Sequence, residues 1–219
     1  MRRNAIILLA SLALIRHSQA EVVLDGTLGP PGALSGPNFF IEPKLGQQMG
    51  GNLFHSFARF NLNSSESATF TGPASIHNVI SRVTGGQAST IDGLLRSQIP
   101  NADMYFLNPA GVMFGPNAQI DVPASLYISS ADSLKLGDSG RFEASAPDNS
   151  LLTVAPPSAF GFLNSTPARI TVEGSQLKLK NEEKFARRLA GEEIPFDIDV
   201  QINNFQKPAR FPKPGRFGV

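Results

Sequence analysis

Asn108-Pro109-Ala110-Gly111-Val112, lying between the apolar runs 104–107 and 112–114, is the stretch that decides how this chain folds. Proline holds φ near −65° and offers no amide hydrogen, asparagine can bond nearby backbone, and glycine admits a positive φ. In the order Asn, Pro, then Gly they make a corner, a bend that redirects a strand without reversing it. Outward from it, residues 21–177 hold short β-prone runs broken by Gly, Pro, Asn and Asp, with no convincing amphipathic helix. The runs are 22–24, 39–41, 75–83, 90–95, 104–107, 111–114, 118–122, 126–129, 134–136, 151–154 and 170–172. Hairpins favour Asn-Gly or Asp-Gly, yet only Asp25-Gly26 and Asp92-Gly93 supply such a pair. The breaks at Gly85-Gly86, Gly115-Pro116-Asn117 and Gly137-Asp138-Ser139-Gly140 read as further corners. Corners let successive coils stack in parallel, each burying the inner face of the last. About seven coils advancing roughly 4.8 Å each would form a rod of about 35 Å. No identical repeat is present, so pattern alone leaves a β-sandwich as open as a solenoid.

The first twenty residues have the layout of a secretory signal. Arg2 and Arg3 precede an apolar run at 5–15, and Ser18-Gln19-Ala20 places small residues at the cleavage positions. Cleavage is expected after Ala20. The run is too short for a membrane-spanning helix, which needs about 20 residues. The chain has no cysteine, so no disulfide holds the exported domain and its core must do so. Residues 21–177 carry 7 Lys/Arg and 12 Asp/Glu, whereas 178–219 carry 9 and 6. Neither part has the clustered basic face that nucleic acid requires, so no nucleic-acid partner is expected.

Asn52-Leu53-Phe54-His55-Ser56-Phe57-Ala58-Arg59-Phe60-Asn61-Leu62 is denser in aromatics than its surroundings. Phe54, Phe57 and Phe60 recur every third residue, as in a helical turn or a wrapped edge. A stacked β-fold must cover its open end, so Asn52, Leu53, Phe54, His55, Phe57 and Phe60 are expected to form an amino-terminal cap or structural motif.

That segment resembles the opening motif of the filamentous haemagglutinin-type two-partner-secretion domain. Further blocks follow in the same order: Ile-His-Asn-Val-Ile-Ser-Arg-Val-Thr-Gly-Gly at 76–86, Ile91-Asp92-Gly93, and Ala-Asp-Met-Tyr-Phe-Leu-Asn-Pro-Ala-Gly-Val-Met-Phe-Gly at 102–115. The last are Asp-Val-Pro-Ala-Ser-Leu at 121–126 and Leu-Thr-Val-Ala-Pro-Pro-Ser-Ala-Phe-Gly-Phe-Leu at 152–163. The resemblance implies an all-β, right-handed parallel β-helix (β-solenoid) with an amino-terminal cap. It implies a signal peptide at 1–20, a secretion domain at 21–177, and a charged, Pro-containing tail at 178–219. The familiar pattern fades after Leu177, and the tail reads as the mark of truncation or frameshift, or of a short stand-alone member. A helix is expected near 184–189.

The implied partner is an outer-membrane β-barrel transporter bearing POTRA domains. The implied location is secreted or cell-surface, reached through the periplasm and outer membrane of a Gram-negative-type bacterium. Adhesion or haemagglutination, with host-cell or glycan surfaces as partners, follows from the same resemblance, and the domain is expected to be monomeric. Asn108, Pro109, Ala110, Gly111 and Val112 become a structural corner or a partner-recognition site. Two departures bear on this. Many members read Asn-Pro-Asn-Gly-Ile at this corner, and their upstream Gly-Gly-Asn-Pro is replaced here by Gly85-Gly86-Gln87-Ala88.

No metal-binding helix motif, phosphate loop or nucleophile elbow is present, so no catalytic residue, metal or cofactor is expected. The alternatives are a free-standing adhesin-like surface protein and a polysaccharide-degrading β-helix enzyme. The enzyme would need carboxylates gathered on one face, with Asp92, Asp103, Asp121 and Asp132 as candidates. His55-Ser56 adjacency is the wrong proximity for a triad, whose members meet in space. His77 is read as a surface or Asn-bonded side chain.

Overall fold

The computed structural model describes residues 21–163 and 167–173, and the backbone of Val200–Ile202. The signal segment with Ala20, the expected helix near 184–189 and most of the tail lie outside the described residues.

Short β-branched and aromatic runs, interrupted by residues that turn the chain, form three parallel faces of a β-solenoid of about four turns. The first face stacks Asn52–Phe60, Asn78–Val83, Asp103–Leu107 and Leu126–Ser129. The second stacks Ser89–Ile91, Val112–Phe114, Ile170–Val172 and Val200–Ile202. The third stacks Asn38–Ile41, Ser67–Phe70, Leu94–Ser97 and Gln119–Asp121. Leu53 pairs with Val79, Val79 with Met104, and Met104 with Leu126, steps of 26, 25 and 22 residues. Coils of that length, together with a long excursion after residue 129, explain why about four turns form where about seven were expected. Asp92-Gly93 makes a corner between the second and third faces, not a hairpin.

The interior is filled from all three faces by Leu53, Phe57, Phe60, Phe70, Val79, Ile91, Leu95, Met104, Phe106, Val112 and Ile120. Each such side chain removed from water contributes about 1.5–3 kcal/mol, and the stacking of coils is what removes it. Phe57 and Phe60 meet edge to face with centroids 5.0 Å apart, and Phe60 meets Phe106 the same way at 5.0 Å. Their three-residue spacing is not helical. Val23 pairs with Arg59 and Leu24 with Phe57, so Ala58 is an extra residue in a β-bulge. The bulge shifts the alternation, and both rings turn inward.

The amino-terminal segment closes the first coil. Gln47–Met49 pairs antiparallel with residues 52–54 and Val22–Leu24 with residues 57–60, so two short strands share the exposed edge of Asn52–Phe60. Gly32–Ala33 then pairs with Val22–Leu24. The aromatic motif at 52–60 is thus the first rung of this face, and the covering strands precede it in sequence.

After Leu126–Ser129 the chain leaves the solenoid. Ser133–Leu136, Gly140–Glu143 and Pro157–Gly161 make an antiparallel three-stranded insert before the return at Ile170–Val172. Gly137-Asp138-Ser139-Gly140, expected as a corner, is a true reversal: Leu136 pairs with Gly140, and Gly137 takes φ +59°. Residues 151–154, expected as a strand, form a loop with one bridge from Leu151 to Arg141. The insert lies over the outer side of the first face. Leu134, Leu136 and Phe142 pack there on Phe54, Ile80, Tyr105, Leu107 and Tyr127. That face is therefore covered on both sides, so its strands are almost continuously buried, polar residues such as His55, Ser56, Ser81 and Arg82 included.

Candidate functional site

The corner at 108–112 links the first and second faces of the third coil. The Gly111 N–H donates to the Asn108 carbonyl at 2.8 Å, closing a four-residue turn with Pro109 at its second position. Ala110 keeps a negative φ, and only Gly111, at φ +103°, needs glycine's freedom. A side chain on Gly111 would also sit 2.6 Å from the Arg169 carbonyl oxygen of the following coil.

Asn108 is 0 % exposed. Its Nδ2 donates to the Gln87 carbonyl and to Ser89 Oγ, both at 3.0 Å, while its Oδ1 accepts the Ala110 N–H at 3.0 Å. The bonds to Gln87 and Ser89 reach one coil upstream, to the corner that lacks Asn and Pro. What that corner must supply is a backbone carbonyl and a hydroxyl, and Gln87 and Ser89 supply both. Gly85 has its own constraint, since a Cβ there would lie 2.1 Å from the Ala58 carbonyl oxygen. The turn uses the N–H of Ala110 and makes no demand on its side chain, so alanine serves there. Pro109 and Ala110 are half-buried, and Val112 points into the core.

Asn52 is buried at the start of the first face. Its Oδ1 accepts Asn78 Nδ2 at 2.8 Å, and its own Nδ2 donates to the carbonyls of Thr153 and Ala155 at 3.1 and 2.8 Å. Leu53 and Phe57 face the interior, Phe54 faces the insert with its ring 5.1 Å from that of Phe142, and Phe60 closes the strand. His55 is buried against Phe70, and its Nε2 lies 3.3 Å from the Glu42 carbonyl. Burial pushes its pKa down to about 4, only partly offset by that carbonyl. Nδ1 of His55 and Oγ of Ser81, in register on adjacent strands, have no hydrogen-bond partner.

The most consequential polar group is one that sequence reasoning passed over. Arg82 is 1 % exposed. Its Nε donates to Ser56 Oγ at 2.7 Å, one terminal nitrogen donates to the Glu143 carbonyl and to Ser150 Oγ at 2.7 Å, and the other donates to Thr27 Oγ1 at 2.9 Å. The guanidinium carbon sits 4.4 Å from the centroid of the Phe142 ring. Asp25 shares two of these hydroxyls, accepting Ser56 Oγ at 2.6 Å and Thr27 Oγ1 at 2.8 Å, and also accepts Thr84 Oγ1 at 2.8 Å. Cation and carboxylate are thus joined through shared hydroxyls. Burial pushes the Arg82 pKa down to about 10, against the pull of Asp25, Asp148 and Glu143. Burial raises the Asp25 pKa, but hydrogen bonds from Ser56, Thr27 and Thr84 outweigh it and hold the carboxyl below its ordinary value. The available signal was an arginine inside the apolar run Val79-Ile80-Ser81-Arg82-Val83; what it reached was not legible.

The four acids of the enzyme alternative are not brought together. Asp92 holds the backbone and side chain of Asn117 at one corner, Asp103 accepts the Ser125 N–H at another, and Asp121 pairs with Arg96 at 2.9 Å on the third face. Asp132 accepts Ser145 Oγ and the Leu163 N–H at the insert. Each supports a turn or a strand pair. Among the described residues, no cluster of three or more His, Asp or Glu is set to hold a metal.

In this short parallel β-solenoid the buried polar groups described above bond its own corners, covering segment and insert. A family model describing the TPS secretion domain, the domain of two-partner secretion, matches residues 20–202. The chain belongs to that family, and the match takes in the Val200–Ile202 rung. It is accordingly a two-partner-secretion substrate, of a family that targets proteins for secretion across the outer membrane of Gram-negative bacteria. Comparison with curated proteins and with solved structures gave no match.

Proposed function

We propose that the secretion-targeting domain of a filamentous haemagglutinin-like exoprotein, expected at 21–177, runs on to residue 202, where the family match ends. A POTRA-bearing outer-membrane β-barrel recognises it in the periplasm after a signal peptide is removed behind Ala20. The observation that carries this reading is the family match over residues 20–202. The domain acts as a monomer and needs no catalytic residue or cofactor. Adhesion or haemagglutination, with host-cell or glycan surfaces as partners, is proposed for the exported protein.

At the Asn108 corner, the buried amide closes the turn and leaves Pro109 and Ala110 as the groups that a partner can touch. The motif at 52–60 has the structural role, since its side chains are engaged by the core, the insert and the covering strands.

The test is export of a reporter fused behind the chain and co-expressed with its transporter. The fusion is expected in the medium, with a mature protein beginning at Glu21, and removal of residues 21–202 is expected to strand it in the periplasm. Export that persists without those residues would refute the proposal.

A further inference from the structure

We propose that Arg82 is a two-sided latch that couples the amino-terminal covering segment to the antiparallel insert, so that loosening either one loosens the other. The two segments are far apart in sequence and meet over the outer side of the first face. One guanidinium holds both: Thr27 Oγ1 on the covering side, and the Glu143 carbonyl and Ser150 Oγ on the insert side. Ser56, donating to Asp25 and accepting from Arg82, carries the same connection through the central strand.

The physical basis is the cost of a buried cation. With both segments in place, Arg82 is shielded from water and its donors are occupied on both sides. If the insert lifts, Arg82 loses the Glu143 carbonyl, Ser150 and the Phe142 face together, and water reaches it. A solvated guanidinium then gains little by holding Thr27, and water screens its attraction to the half-buried carboxylate of Asp25. The converse holds if the covering segment lifts. The latch is cooperative because the charge must be either satisfied on both sides or solvated. A partner that grips one segment therefore acts on the other, and the two-state element is the pair of segments, not the solenoid beneath them.

Thr27→Val and Ser150→Ala test this in the full chain, because each removes one bond to Arg82 from opposite sides. Hydrogen exchange followed by mass spectrometry would be read over 22–33 and 140–151. Bonds to a charged group are worth enough that each variant should speed exchange roughly ten-fold or more in the segment it belongs to and also in the other. In an Arg82→Met background, where there is no charge to solvate, the effect on the opposite segment should vanish. Two results would overturn the proposal. One is loosening confined to the mutated segment. The other is cross-loosening that survives in Arg82→Met, which would assign the coupling to the apolar cluster of first-face and insert residues on which Leu28 and Met49 pack. If Arg82→Met does not fold, the two single variants still decide the first point.

Discussion

Asn108→Ala is the substitution that most directly weighs structure against recognition at the corner. It removes three hydrogen bonds of 3.0 Å from a side chain that is 0 % exposed. The Gln87 carbonyl and the Ala110 N–H both lose a partner. An unpaired polar group in such a place costs about 1–3 kcal/mol, and these two are only part-buried, so the loss should be about 2–4 kcal/mol. That is a large share of the roughly 5–15 kcal/mol that holds a domain together. In urea denaturation of the mature chain, the midpoint should fall while the slope stays unchanged. Ala110→Asn and Ala110→Asp are the comparison, because no bond of the turn uses that side chain; each should stay within about 0.5 kcal/mol. Export through the transporter then separates the roles. Asn108→Ala should reduce export in proportion to lost stability, whereas Ala110→Asp should reduce it at full stability if the partner touches this corner. An Asn108→Ala protein less than about 1 kcal/mol weaker would refute the argument that buried bonds to the preceding coil close the turn. Undiminished export of Ala110→Asp would remove the corner from the recognition surface.

Three further outcomes follow from the same geometry. The folded-state pKa of His55, about 4, lies below the ordinary 6.5, so the unfolded chain takes up the proton first as pH falls. Stability should be unaffected by this group above pH 6.5 and decline by about 3 kcal/mol between 6.5 and 4; a His55→Gln variant that unfolds with the same pH slope would contradict this. Gly85→Ala pushes a methyl to 2.1 Å from the Ala58 carbonyl oxygen and should cost about 3 kcal/mol or more, whereas Gly86→Ala, at φ +71° with nothing within 4 Å, should cost about 1–2 kcal/mol in thermal melts. Asp92→Ala should cost about 1 kcal/mol through its bonds to Asn117, and the wild-type chain should cleave nothing in a broad polysaccharide panel; cleavage that depends on Asp92 would revive the enzyme alternative.

The sequence by itself determined that the chain is β-rich, that it turns at corners, and which family it belongs to. Those properties are local or motif-borne. Proline, asparagine and glycine impose their turn geometry wherever they fall, and runs such as Met104-Tyr105-Phe106-Leu107 are strand-prone and apolar on both sides. The tertiary structure decided what depends on residues far apart in the chain. The bulge at Ala58 reverses a face through pairing with Val22–Leu24, so the spacing of Phe57 and Phe60 misleads when read alone. Gly137 to Gly140 makes a hairpin because the chain leaves the solenoid there, although its turn residues resemble those of a corner. Arg82 gave least away: a charge can be buried only where partners converge, and its partners at Thr27, Ser56, Glu143 and Ser150 come from the covering segment, the first coil and the insert. The Asn108 corner lies between these cases. Its turn was legible from five residues, but that it closes on Gln87 and Ser89 depends on the stacking of one coil upon another.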